Sequence, residues 1–321
     1  MTRTEAFFAT PAPTVAVEIA RHRVSAAAIV PRDGRLTVAA HAIEPLPDGA
    51  VTPGLNASNI PDVRVVADVL RRAFDRIGSR PRRVALAIPD NVAKVSLLRF
   101  EKVPERTRDL DELVRWQVRK TAPFRPEDAQ VSYVAGVEPS DGGREFVVVL
   151  ARRDIIEEYE AVCTAAGAQA GSVDLATFNV INAVLASPQT PSGDWLLVHV
   201  MPEDATMAIL RGSQLVFFRN RGADGEGSLA DLVHQTAMYY EDRLSGTGFA
   251  RVVLAGAGSP SAGAGRDTEY LRRALEERLA IRVGAIDIRD AAVLADRISA
   301  GPELLDALAP LVGLILRERA A

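Results

Sequence analysis

The feature that most constrains this chain is an internal echo of one strand-rich unit. Val15-Ala16-Val17-Glu18-Ile19 predicts a strand buried on both faces, and Arg21-His22-Arg23 predicts a polar tip. Val24–Val30 runs back, Arg32-Asp33-Gly34-Arg35 carries the Asp-Gly signature of a tight turn, and Leu36-Thr37-Val38 opens a third strand. The same order returns much later, as Leu196–Val200, the tip Met201-Pro202-Glu203-Asp204, Ala205–Leu210, the turn Arg211-Gly212-Ser213, and Leu215–Phe218. Laid over one another, Glu18 falls on His199 and Ala20 on Met201. Two halves that each open on a β-β-β unit predict an internally duplicated α/β protein.

Length agrees with duplication, because 321 residues exceed one ordinary core and predict two domains. With 48% hydrophobic and 25% charged residues the chain has the composition of a globular protein. A net charge of −4 gives no footprint for nucleic acid, and only Lys94, Lys102 and Lys120 are lysines, so no polybasic membrane patch is expected. Cys163 is the single cysteine, which excludes a disulfide framework and a cysteine-based metal site. His22, His41, His199 and His234 show neither metal-ligand spacing nor a triad partner. Met1–Thr14 contains too short an apolar run for a signal peptide, and Leu304–Leu316 is interrupted by Asp306 and Pro310. It falls short of the roughly 20 residues that span a bilayer, so a cytoplasmic protein without a direct membrane span is expected.

Between the two echoes, Ala39–Pro61 reads as a Pro/Gly/Asn-rich connection. Asp62 caps a helix through Ile77 whose face is Val63, Val66, Leu70, Phe74 and Ile77, with Gly78 stopping it. Arg83–Ile88 is a buried strand closed by Pro89-Asp90. Val95–Phe100, Arg108–Thr121, Ala129–Val137 and Glu145–Ala151 predict a small β-α-β-β subdomain inserted in the first half. Asp154-Ile155-Ile156-Glu157 reads as a capping box opening the next helix, and Val173 leads into a helix over Leu175–Leu185. The Pro- and Ser-rich run Ser187–Ser192 is the expected interdomain hinge. After the second echo come a helix (Ser228–Leu244), a strand (Arg251–Leu254), the loop Ala255-Gly256-Ala257-Gly258-Ser259-Pro260, a helix (Thr268–Leu279), a short strand near Ile286 and a last helix (Pro302–Arg319). Such alternation predicts a mixed sheet in each half, covered on both faces.

Several of these stretches carry a resemblance that extends over nearly the whole chain. Glu112–Gln117 with Ala122-Pro123-Phe124 resembles the Arg-Trp…Ile-Pro-Phe helix and breaker of the PilM family of type IV pilus assembly proteins. Val147–Ala151, Asp154–Tyr159, Ala165-Ala166-Gly167 and Ser172-Val173-Asp174 resemble its following strand, helix and Val-Asp run. Val253–Ser259 sits where the family has a Gly-rich adenosine loop, and Gly313–Arg317 resembles its closing Gly-Leu-Ala-Leu-Arg. The resemblance implies a bilobed actin-like (ribonuclease H-like, duplicated) α/β fold. On it, residues 1–13 are a flexible tail and 14–190 the first lobe, with the insert at about 92–152. Residues 191–301 then form the second lobe, and 302–321 a helix returning to the first. It also implies a cytoplasmic partner of the bitopic protein PilN, whose N-terminal tail docks between the insert and the first lobe. PilO and PilP are linked indirectly, assembly-motor contacts are possible, and the inner membrane is reached through these partners.

In actin-like ATPases an Asp-x-Gly at each hairpin tip holds the nucleotide phosphates, and both tips here depart from it. Where the family's first tip resembles Asp-Ile-Gly-Ser-Ser, this chain has Glu18-Ile19-Ala20-Arg21-His22. Glu18 keeps a carboxylate that can reach Mg²⁺ through water, Arg21 and Arg23 can bind phosphate, and Ala20 adds a Cβ where backbone must approach. The alternative is a solvated basic tip. At the second tip, His199-Val200-Met201 puts an imidazole, a poor ligand for a hard cation, where Asp is needed, and a side chain where phosphate would sit. His199 is therefore expected as a satisfied interior histidine, hydrolysis is not expected, and no metal or other cofactor is required. A residual ATP/Mg site would use Glu18, Arg21, Arg23, Gly256, Gly258 and Ser259. Trp116, off the stripe Leu110, Leu113, Val114, Val118 and Thr121, either covers the neighbouring lobe or, with Pro123 and Phe124, lines the partner groove. Cys163 is expected to be inert packing. A rival of the same architecture is the cytoplasmic part of a GspL-like type II secretion protein. The end at Ala321 favours the pilus protein over it. A working actin-like ATPase, or a polymerising actin anchored by a terminal helix, would need motifs that are absent.

Overall fold

The computed structural model describes residues 11–139, 142–187, 193–202, 204–222, 227–257, 268–296, 298–299 and 301–320. The first echo unit folds as three antiparallel strands, β1 (Val15–Ile19), β2 (Arg23–Arg32) and β3 (Arg35–Pro45). Asp33 and Gly34, at φ 51° and 77°, make the β2–β3 turn in the left-handed region that Asp-Gly tolerates. Helix α1 (Val63–Arg76) follows, with the Asp62 carboxylate accepting the Arg64 amide at 2.9 Å and Val66, Leu70 and Phe74 buried. It leads to β4 (Arg83–Ile88), which joins β1 in parallel.

Strand β5 (Ala93–Phe100), helix α2 (Thr107–Arg119), β6 (Ala129–Ala135) and β7 (Arg144–Arg152) then form a separate three-stranded sheet in the order β5-β7-β6. Val114 and Val118 of α2 pack on Phe146, Val148 and Leu150, so α2 covers one face of that sheet. By strand alternation Val147 and Val149 point the other way. Two expectations fail at the return. Helix α3 (Arg153–Ala165) begins before the supposed capping box: Asp154 lies inside its first turn, and its carboxylate is held by the Arg152 guanidinium instead of closing a box. Gln169–Leu175 is a full edge strand, β8, parallel to β4, before α4 (Ala176–Leu185).

The second echo is again antiparallel, β9 (Asp194–Val200), β10 (Asp204–Arg211) and β11 (Gln214–Gly222). A Ser228/Asp231 capping box opens α5 (Leu229–Leu244), and β12 (Arg251–Ala255) joins β9 in parallel just as β4 joins β1. Helix α6 (Thr268–Leu279) leads to β13 (Val283–Ala285), which ends just before Ile286. An unexpected two-residue strand, β14 (Val293–Leu294), crosses back to pair with β3. The last element is α7 (Pro302–Ala320). Both large sheets are mixed, ordered β14-β3-β2-β1-β4-β8 and β11-β10-β9-β12-β13. Their facing sides share one core through α4 and α7, with Ala16, Ala85, Leu197 and Val253 meeting Val180 and Leu311. At Gly313 of α7 a Cβ would fall far inside contact with the Asn179 carbonyl oxygen, so the two helices touch backbone to backbone. No helix among the described residues is long and apolar enough to cross a membrane. The expected hinge lies largely outside the described residues; Ser187, at its start, donates to Asp290 at 2.8 Å.

Candidate functional site

The two tips close alike. Glu18 faces Ser25 across β1–β2 and His199 faces Thr206 across β9–β10. The Ala20 amide donates to the Arg23 carbonyl at 3.0 Å, and the Met201 amide to the Asp204 carbonyl at 2.8 Å. Position for position, Glu18 corresponds to His199 and Ala20 to Met201.

What occupies these positions differs from a phosphate cradle. Glu18 is 1% exposed and Arg23 5%, and the Arg23 guanidinium donates to the Glu18 carboxylate at 3.1 Å. The first tip is therefore not a solvated basic hairpin at Arg23. The guanidinium is buried because it neutralises a buried carboxylate, and each charge occupies the other; Arg21 beside them is half-buried. At the second tip Met201 is itself buried. His199, 3% exposed, is the satisfied interior histidine expected: its Nδ1 lies 2.7 Å from the Thr177 hydroxyl. Gly256, at φ 81°, keeps its turn because a Cβ would strike the Val200 carbonyl, and its amide donates to the Asp306 carboxylate at 2.6 Å. Gly258 and Ser259 lie outside the described residues. Glu18 Oε2 is thus engaged with Arg23 and the Gly256 amide with Asp306, while the other Glu18 carboxylate oxygen is buried without a hydrogen-bond partner.

A second concavity lies on the opposite side of the inserted sheet from α2. This cleft of about 320 Å³ is lined by residues 132–136 of β6 and its end, by Val147 and Val149, by Phe178, Ile181 and Leu185 of α4, and by Leu215 of β11. Strand β6 is an edge strand paired with β7 alone, and Val134 on it is 62% exposed. Asp174 and Arg317 line the same cleft, 3.1 Å apart. Burial pushes the Asp174 carboxyl up to about 6, against the opposing pull of Arg317.

Trp116, Pro123 and Phe124 do not line this cleft. Trp116 is 54% exposed with the Lys120 ammonium 3.8 Å from its ring centroid, so it is not interlobe core, and Phe124 packs in the α2 side of the insert. The sheet of the insert separates α2 from the cleft. Sequence reasoning missed Asp90, Thr177 and Asp174. For Asp90 the available signal was a polar residue just past a buried strand, β4, at a sheet's carboxyl edge, where α/β folds place their sites; Asp174 inside β8 and Thr177 inside α4 carry no such signal.

A family model described as type IV pilus assembly protein PilM matches residues 16–244, well over half of the chain. The chain belongs to the PilM family. In fold, this PilM-family chain is similar to a solved PilM–PilN type IV pilus biogenesis complex at 17% identity and a TM-score of 0.79, covering 96% of this chain and 99% of that one. It is also similar to a Bacteroides thetaiotaomicron protein of actin-like ATPase fold and unknown function, at 11% identity and a TM-score of 0.50, over 85% of this chain and 90% of that one. The cytoplasmic domain of EpsL, from the type II secretion system of Vibrio cholerae, reaches a TM-score of 0.46 at 11% identity, over 95% and 93% of the two chains, too low to favour the secretion reading. No curated protein matches in sequence. The duplicated, mixed-sheet architecture is that of the actin-like proteins.

Proposed function

We propose that the chain is a cytoplasmic scaffold of the type IV pilus inner-membrane platform, holding the N-terminal tail of a PilN-like bitopic protein without turning over nucleotide. The observation that carries this reading is the cleft beside β6. Its free strand edge suits an extended segment, and Val134, Phe178, Ile181 and Leu185 offer apolar contacts to alternate side chains. Family membership and the likeness to the PilM–PilN complex support the choice of partner. Such a partner would link the chain to PilO- and PilP-like proteins and to the assembly motor. The occupied tips support the non-catalytic half, since phosphoryl transfer needs a metal cradle and backbone donors aimed at phosphate. No cofactor is required by this role.

Calorimetric titration with a PilN-like N-terminal peptide tests the docking site. Val134→Lys, at an exposed cleft position, is expected to weaken binding roughly tenfold or more, while Trp116→Ala leaves it unchanged. The reverse pattern would place the peptide on the outer face of α2 and overturn the cleft assignment.

A further inference from the structure

A buried chain of polar side chains runs from the first lobe into the second. Asp90, in the turn after β4, is 2% exposed, and its Oδ1 accepts the Thr177 amide at 3.1 Å. Its Oδ2 accepts two hydroxyls, from Thr177 at the start of α4 and from Thr206 of β10 at 2.7 Å. Each hydroxyl has one proton, already given to Asp90, so each must accept from its other neighbour. Thr206 accepts from Asn220 of β11 at 2.9 Å, and Thr177 accepts from His199 of β9, which fixes the proton of the imidazole on Nδ1. Asp90 and Thr177 follow closely on strands of the first sheet, β4 and β8, while His199, Thr206 and Asn220 lie on strands of the second. Both oxygens of Asp90 are satisfied, and the links among Asp90, Thr177, Thr206 and His199 are buried, where such networks polarise and reinforce one another, while Asn220 at the end of the chain is half-buried.

We propose that this Asp90-centred network is an interlobe clasp, which holds the two lobes in one relative position by protein contacts alone and makes closure independent of nucleotide. The physical reason is cost. Opening the lobes would break the Asp90–Thr206 and Thr177–His199 links and leave a carboxylate, two hydroxyls and an imidazole to be rehydrated together. Gly256 backs the clasp: a Cβ there would also press on the His199 ring, so the turn after β12 holds His199 against Thr177.

The test is an interlobe distance. Cys163 is fully buried, so labels can be placed at Arg64→Cys on α1 and Arg273→Cys on α6, where the arginine side chains are 87% and 73% exposed. Pulsed electron spin measurements on the full chain are expected to give one narrow distance, unchanged by magnesium ATP. Thr177→Val/Thr206→Val is expected to broaden and lengthen it, while Thr177→Ser, which keeps the hydroxyl, retains the original distribution. Thr236→Val removes a buried hydroxyl that bonds only within the second lobe, to Leu232 and Met207, and controls for general loosening. A shortening on addition of magnesium ATP would overturn the proposal, as would a double variant with the original distance. Should the double variant fail to fold, the two single valine variants are read by the same criteria.

Discussion

At Glu18 a one-carbon extension of the side chain and an arginine five residues on convert a ligand position into a buried ion pair. Removing one partner leaves a charge stranded, so Arg23→Met should cost about 3–5 kcal/mol in urea unfolding, whereas the double replacement Glu18→Gln/Arg23→Met should cost less than the single. Asp174 makes a separate prediction. Its carboxyl is raised from the ordinary 3.8 to about 6, so the folded state holds a proton that the unfolded state has released. Stability should then fall as pH rises from about 4 to about 6 and level off above, and Asp174→Asn should remove that slope. A rise in stability over the same window would mean that Arg317, not burial, dominates there.

Among elements, the tight crossing of α4 and α7 depends on the absence of a side chain at Gly313. Gly313→Ala should push the helices apart and lower stability by about 1–3 kcal/mol, read as a drop in denaturation midpoint. How much of the fold was legible follows the strength of local signals. The echo units, the Asp62 and Ser228 caps and the β-α-β-β insert carry dense signals, apolar periodicity and turn residues, and fold as expected. Strand β8 contains Gly171 and Asp174 with no clean alternation; it exists because β4 offers a parallel edge, which is a tertiary fact. The same holds for β14, two residues long, whose partner β3 lies far away in sequence. Asp154 shows how a capping signal is overruled by a nearer cation, Arg152. Helical phase puts Trp116 off the buried stripe, and it is exposed there, but phase cannot say which face of the insert meets the first lobe.

At the scale of the molecule, the shared core through α4 and α7, the strand β14 and the Asp90 network join the two lobes by three different routes. The departures from Asp-x-Gly were visible in sequence. What replaced them was not, because Glu18–Arg23 and Thr177–His199 are contacts made by folding. The most direct test of a scaffold that needs no nucleotide is calorimetric titration of a PilN-like N-terminal peptide, performed with and without magnesium ATP, alongside a titration of magnesium ATP alone. The expected result is tight peptide binding with the same affinity in both conditions and no heat from ATP. Micromolar ATP binding, or peptide binding that appears only with ATP, would contradict it.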